Sequence, residues 1–108
     1  MSWITLNSEE QLEAINQKSF EKPQLIFKHS TRCSISSVIK NRLYKNDLPQ
    51  AIDFYYLDLI ANRSVSNKIA DQYHVEHESP QVLLIKDGKC IFNESHSAIY
   101  MEDIVEKA

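Results

Sequence analysis

The residues best suited to chemistry lie in one stretch, His29-Ser30-Thr31-Arg32-Cys33-Ser34-Ile35-Ser36. Two cysteines at C-x-x-C spacing form a dithiol that opens and closes a disulfide. Here the spacing persists, but Ser36 stands where the second thiol would be. Either the chain does redox chemistry with a single sulfur, or Cys33 is an inert buried cysteine at the start of a helix, since free cysteine is among the most buried residue types. The attacking species in thiol exchange is the thiolate, and an unperturbed cysteine is only about 3% ionised at pH 7. A helix N-terminus, with its unpartnered N–H groups and favourable dipole, raises that fraction. Arg32 adds a neighbouring positive charge, and Ser34 and Ser36 are candidate O–H donors to the sulfur.

The elements that must position Cys33 follow from spacing. Ser8 and Gln11 form a capping box ahead of Leu12 and Ile15, which predicts a helix over about 8–19. Pro23 separates it from the apolar run QLIFKH, a strand ending at His29. Ile35, Val38, Ile39 and Leu43 step at helical spacing and predict a helix over about 33–46 with those four on its buried face. AIDFYYLDL reads as a second strand, and Val65, Ile69, Ala70 and Tyr73 mark a helix over about 63–73. QVLLIK and KCIFNE flank Asp87-Gly88, the pair favoured in a two-residue type I′ hairpin. Met101, Ile104, Val105 and Ala108 give a closing helix, and WITL offers an extra strand at the start. The order α-β-α-β-α-β-β-α describes an α/β single domain over 1–108, a central mixed β-sheet flanked by helices. Cys33 falls at a strand-to-helix junction on the carboxyl side of the sheet, where open α/β folds bind ligands.

Bulk properties narrow the function classes. The 108 residues carry a net charge of −3, against the footprint of a general nucleic-acid binder. Residues 1–50 hold seven Lys/Arg against five Asp/Glu, and 51–108 hold five against ten, so the half containing Cys33 is the more basic. No run nears the roughly 18 apolar residues that span a bilayer, and MSWITLNSEEQ lacks the pattern of a secretory signal. With two cysteines the chain is no disulfide scaffold, and a reducing cytoplasm is the expected location.

A second feature lies downstream. HVEHESPQVLLIKDGK places Pro80 directly before a buried strand, eight residues ahead of Gly88. Together with the cysteine at its junction, this resembles the thioredoxin superfamily, whose proline at this place is cis and packs opposite the active-site cysteine. More narrowly, FKHSTRCSIS, YHVEHESPQVLLIKDG and ESHSAI resemble the monothiol bacilliredoxins of the YtxJ type, over about residues 5–107. The resemblance implies a thioredoxin-like fold and removal of bacillithiol from mixed disulfides on client proteins. Bacillithiol would be co-substrate, with no tightly bound cofactor, no metal, no nucleic acid or membrane partner, and a monomeric chain.

Carried over by position, Cys33 is the nucleophile and Ser36 occupies the resolving-cysteine site. Pro80 is the cis-proline, with Ser79 and Gln81 beside the bound thiol. Ser95, His96 and Ser97 form the loop that holds the polar part of a thiol cofactor, and His29, Thr31 and Arg32 complete the expected binding set. His29 is alternatively a satisfied imidazole bridging the strand end to the cysteine loop. Arg32 and Lys28 are candidate partners for the malate carboxylates of bacillithiol, Lys28 being otherwise a solvated charge at the strand end. His77 precedes Glu78-Ser79-Pro80 and is a candidate for orienting that loop, which the sequence leaves open. Ser34 replaces the usual proline after the cysteine, and His74 replaces a glycine that often ends the third helix in related folds.

Cys90 reads as a small core residue; a disulfide to Cys33 would need Cα atoms within about 7 Å. The histidines and cysteines lack zinc-type spacing. Two rival functions remain: a monothiol glutaredoxin-like protein using another small thiol, although C-G-F-S is absent, or a catalytically weak interaction module on the same fold.

Overall fold

The computed structural model describes residues 2–108. Its strands are β1 (Ile4–Thr5), β2 (Gln24–His29), β3 (Asp53–Asp58), β4 (Gln81–Lys86) and β5 (Lys89–Ser95). The helices are α1 (Glu9–Lys18), α2 (Ser34–Tyr44), α3 (Arg63–Tyr73) and α4 (Met101–Lys107), with one 3₁₀ turn at His96–Ala98. The strands form one mixed sheet in the order β1-β3-β2-β4-β5. β1, β3 and β2 run parallel, while β4 and β5 run antiparallel as a hairpin. WITL does supply a strand, though only two residues of it pair.

Strand alternation sends side chains to two cores. Ile26 on β2 and Leu83 and Ile85 on β4 meet Leu12 and Ile15 of α1 and Val65, Ile69 and Tyr73 of α3. Leu25 and Phe27, with Val82 and Leu84, meet Ile39 and Leu43 of α2 and Met101 and Ile104 of α4 on the other face. β2 is central and covered on both faces, so all six of its residues are buried.

Local chemistry sets the element ends. Ser8 Oγ accepts the Gln11 N–H at 3.3 Å, and Gln11 Oε1 accepts the Asn7 N–H at 2.8 Å, closing the first turn of α1. His74 ends α3 in the left-handed region (φ 55°, ψ 41°), the conformation for which related folds use glycine. Asp87 (φ 53°) and Gly88 (φ 74°) make the two-residue turn between β4 and β5. Ser19 holds that turn by accepting the Asp87 N–H on its carbonyl and the Gly88 N–H on Oγ, each at 2.9 Å. A register shift at Leu84/Ile85 leaves Ile91 on the solvent side.

The buried face of α2 differs from the expectation. Ile35 is 43% and Val38 57% exposed, whereas Ser36 is fully buried with Ile39 and Leu43. Positions 36, 39 and 43 keep one helical face; the helix turns a hydroxyl inward because a polar partner waits beneath it. Val105 of α4 and Ala108, which follows the helix, also face solvent.

Candidate active site

Register brings three separate stretches to one end of the sheet. Lys28 on β2 pairs with Gln81 on β4, and Gln81 pairs with Ser95 on β5. The chain leaving β2 at His29, the chain entering β4 through Ser79–Pro80 and the chain leaving β5 at Ser95 are therefore neighbours. The His96 N–H donates to Pro80 O at 2.9 Å and joins the last two. The Leu59 N–H donates to His29 O at 3.0 Å and ties in the end of β3. The Ser79–Pro80 peptide bond is cis.

Cys33 is the N-cap of α2 (φ −111°, ψ 120°), and its side chain makes no capping bond into the first turn. The Cys33 N–H donates to Ser30 O at 3.2 Å, and Cys33 O accepts the Ser37 N–H at 3.2 Å. The thiol is partly exposed and free, with Thr31, Arg32 and Ser34 exposed around it.

Beneath the loop lies a polar knot. Ser36 Oγ accepts the Ser30 N–H at 3.0 Å and shares a 2.7 Å hydrogen bond with His29 Nδ1. Burial holds the His29 imidazolium below its usual range; the Lys40 charge adds to this and the Asp58 carboxylate opposes it. His29 is only 3% exposed, so it does not face a small thiol at the surface, and the bridging role is the one the structure gives it. It braces the cysteine loop through Ser36.

Gln81 also departs from the binding set. It is 2% exposed and turns away from the surface: its Nε2 donates to Glu76 O at 3.0 Å, and its Oε1 accepts the Glu78 N–H at 3.4 Å. It holds the segment before Pro80. Lys28 needs a larger correction. It is neither a solvated charge nor available to a carboxylate, being fully buried with Nζ donating to Ser66 O at 3.2 Å and lying 3.3 Å from His77 Nδ1. Burial pushes its ammonium from the ordinary 10.5 down to about 8.

Ser79 Oγ is buried and has no hydrogen-bond partner. His96 (φ 57°) stands at the rim with its Nε2 3.6 Å from Glu78 Oε2, and Ser95 and Ser97 lie beside it. Two contributors escaped the sequence reading. Glu78, in the segment before β4, reaches His96 in the turn after β5, a pairing without a local signal. Arg42, one turn from the end of α2, donates from Nη1 to Ser97 O and Ile99 O, both at 2.9 Å, and its guanidinium lies over the Tyr100 ring. That clamps the 95–99 loop to the helix that begins at Cys33.

Cys90 is elsewhere. It pairs with Ile85 at the hairpin end of the sheet, and its Sγ donates to Phe92 O at 3.3 Å. Four residues of β5 separate it from Ser95, roughly 16 Å of strand over the five steps. Burial raises its thiol above the ordinary range. No helix among the described residues is long and apolar enough to cross a membrane.

Comparison with known proteins agrees with this layout. A solved structure of a thioredoxin-fold protein described as a candidate oxidoreductase is 30% identical, with a TM-score of 0.84 over 96% of this chain and 91% of its own. A thioredoxin from Malassezia sympodialis superposes with a TM-score of 0.79 at 18% identity, covering 98% of this chain and 90% of its own. Thioredoxin from Trypanosoma brucei brucei gives 0.68 at 16% identity, over 89% of this chain and 80% of its own. The last two are similar in fold alone, and the fold is that of thioredoxin. The sequence profile of the family described as monothiol bacilliredoxin BrxC matches residues 4–104. A partly exposed single cysteine at a helix start, a thioredoxin fold and that match have one consequence: the chain belongs to the monothiol bacilliredoxin family, and its chemistry is thiol redox chemistry.

Proposed function

We propose that this protein removes bacillithiol from client proteins, with Cys33 carrying it transiently. The Cys33 thiolate attacks the bacillithiol sulfur of a client–S–S–bacillithiol. The Cys33–bacillithiol disulfide forms as the client disulfide breaks, and the client leaves as a thiolate that takes a proton from solvent. A second bacillithiol thiolate then attacks the adduct, returning Cys33 as thiolate and releasing bacillithiol disulfide. In net, one free bacillithiol thiol is consumed and the disulfide passes from the client to bacillithiol disulfide, leaving the client cysteine as a thiol. Such exchange depends on thiolate fraction, leaving group and access.

The observation that carries this reading is Ser36. It fills the resolving position as a buried hydroxyl held by His29 and the Ser30 N–H, and a hydroxyl does not cleave a disulfide at neutral pH. The resolving thiol therefore comes from outside, as a small molecule.

The rim supplies groups suited to the rest of that molecule. Arg32 is exposed beside Cys33 and matches a malate carboxylate by charge-assisted hydrogen bonding. Ser79 Oγ lacks a partner, and a buried hydroxyl in that state is completed by a ligand or water. Thr31, Pro80, Ser95, His96 and Ser97 border the same end of the sheet. Ile35 and Val38, exposed on the first half of α2, give client proteins an apolar contact on the helix that Cys33 caps. A pool of reduced bacillithiol is needed, which points to the cytoplasm.

The test is intact-protein mass after mixing with bacillithiol disulfide or glutathione disulfide, using wild type and Cys33→Ser. A bacillithiol adduct on wild type alone, reversed by free bacillithiol, is the expected result. Preferential glutathione loading would keep the chemistry and change the co-substrate. Absence of any adduct would leave an interaction module.

A further inference from the structure

Lys28 is the largest polar side chain sealed inside the molecule, and none of the ion pairs among the described residues includes it. A buried ammonium without a carboxylate is costly, so its contacts matter. It donates to Ser66 O on α3 and meets His77 Nδ1 on the segment leading to Pro80. An ammonium has no lone pair, so His77 Nδ1 must be the acceptor and carry no proton. Ser66 Oγ lies 3.3 Å from the same nitrogen. One strand across the sheet, Gln81 grips Glu76 O and the Glu78 N–H. Lys28 and Gln81 are direct cross-strand partners. Two neighbouring strands thus tether residues 76–78, and with them Ser79 and Pro80.

We propose that Lys28 and His77 are a positioning pair for thiol exchange, holding the Glu78-Ser79-Pro80 segment beside the cysteine loop, and that protonation of His77 releases it. This rests on the exchange reading above. The charged and titratable groups around His77 are Lys28 from β2, Arg63 from α3 and Glu78 beside it; His96 bears on Glu78 from the far side. Burial, then Lys28 and Arg63, keep His77 neutral to lower pH than usual, with Glu78 opposing. Once protonated, Nδ1 loses its lone pair and faces the Lys28 ammonium as a second cation. The tether then becomes a repulsion.

The experiment compares wild type, Lys28→Met and His77→Gln. Three rates are read: loading of Cys33 by bacillithiol disulfide, alkylation of Cys33 by iodoacetamide, and amide hydrogen exchange at Glu78 and Ser79 corrected for intrinsic rates. Lys28→Met is expected to fold and to be alkylated at the wild-type rate. It should load about tenfold more slowly and exchange its 78–79 amides about tenfold faster, the scale of one hydrogen bond to a charged group. Wild type taken from pH 7 to about pH 5 should loosen the same amides, in the range where histidines charge. His77→Gln, which cannot titrate, should show no such acid response. Wild-type amide protection in folded Lys28→Met would overturn the proposal, as would an acid response retained in His77→Gln. If wild type itself takes no bacillithiol, the exchange reading fails, and the hydrogen-exchange comparison still decides the tether.

Discussion

Replacing Lys28 by methionine removes a charge while keeping an unbranched chain of similar reach. The ammonium falls from 10.5 to about 8 through burial, and each pH unit corresponds to about 1.4 kcal/mol. Holding the charged form in place therefore costs about 3 kcal/mol relative to the unfolded chain. Below pH 8 both states carry the proton and the full cost stands. Between pH 8 and 10.5 the folded chain has released its proton while the unfolded chain keeps it, so stability rises with pH; above that window the cost is gone. Methionine also takes the ammonium donor from Ser66 O and leaves His77 Nδ1 only the Ser66 hydroxyl, which returns about 1–2 kcal/mol of the gain. Lys28→Met is thus expected to be more stable than wild type by about 1–2 kcal/mol at pH 7. The advantage should shrink by about 3 kcal/mol as pH rises through the window. Urea denaturation of both proteins at intervals from pH 7 to 10.5 measures it, and subtracting the curves removes titrations common to both. A variant less stable than wild type at pH 7, with a difference that does not change over that window, would refute the reasoning. Greater stability with slower exchange would separate positioning from mere structural support.

Three further outcomes are expected. Ser36→Ala leaves the Ser30 N–H and His29 Nδ1 unpaired in a buried site, so denaturation should show a loss of about 2 kcal/mol, with slower loading of Cys33 as its loop loosens. Gly88→Ala must adopt φ +74° and would bring Cβ within 2.9 Å of Phe20 Cζ. Phe20 is exposed and can swing aside, so the backbone dominates and thermal unfolding should report a loss of about 1–2 kcal/mol. Cys90→Ala removes a thiol from the hairpin end of the sheet, and intact-mass loading of Cys33 should proceed at the wild-type rate; slower loading would mean that the two cysteines communicate.

How much of this was legible depends on the range of the force involved. Ser8 and Gln11 announce α1 by contacts within four residues, and Asp87-Gly88 announces the hairpin because few residue pairs adopt positive φ twice in succession. Pro23 and the apolar runs bound the strands. Cys33 at a strand-to-helix junction, the order of elements and the family resemblance follow from such local rules. Their boundaries hold to within a residue or two, as with α3 at Arg63–Tyr73.

Which way a side chain faces at the site is another matter. Apolar spacing put Ile35 and Val38 inward, yet α2 buries Ser36 because His29, seven residues earlier on a different element, presents a ring nitrogen beneath it. Lys28 reads as a strand-end charge until the order β3-β2-β4 makes its strand central and covers it on both faces. Gln81, its cross-strand partner, faces inward on the same side, and His29 faces inward on the other. Arg42 joins the site through carbonyls more than fifty residues away. The sequence by itself determined the single nucleophilic sulfur, its place at a helix start and the elements around it, because these are set by neighbours along the chain. Only the tertiary structure decided which polar groups are sealed beneath that sulfur and which remain at the rim, because sheet order and cross-strand register determine what each side chain meets.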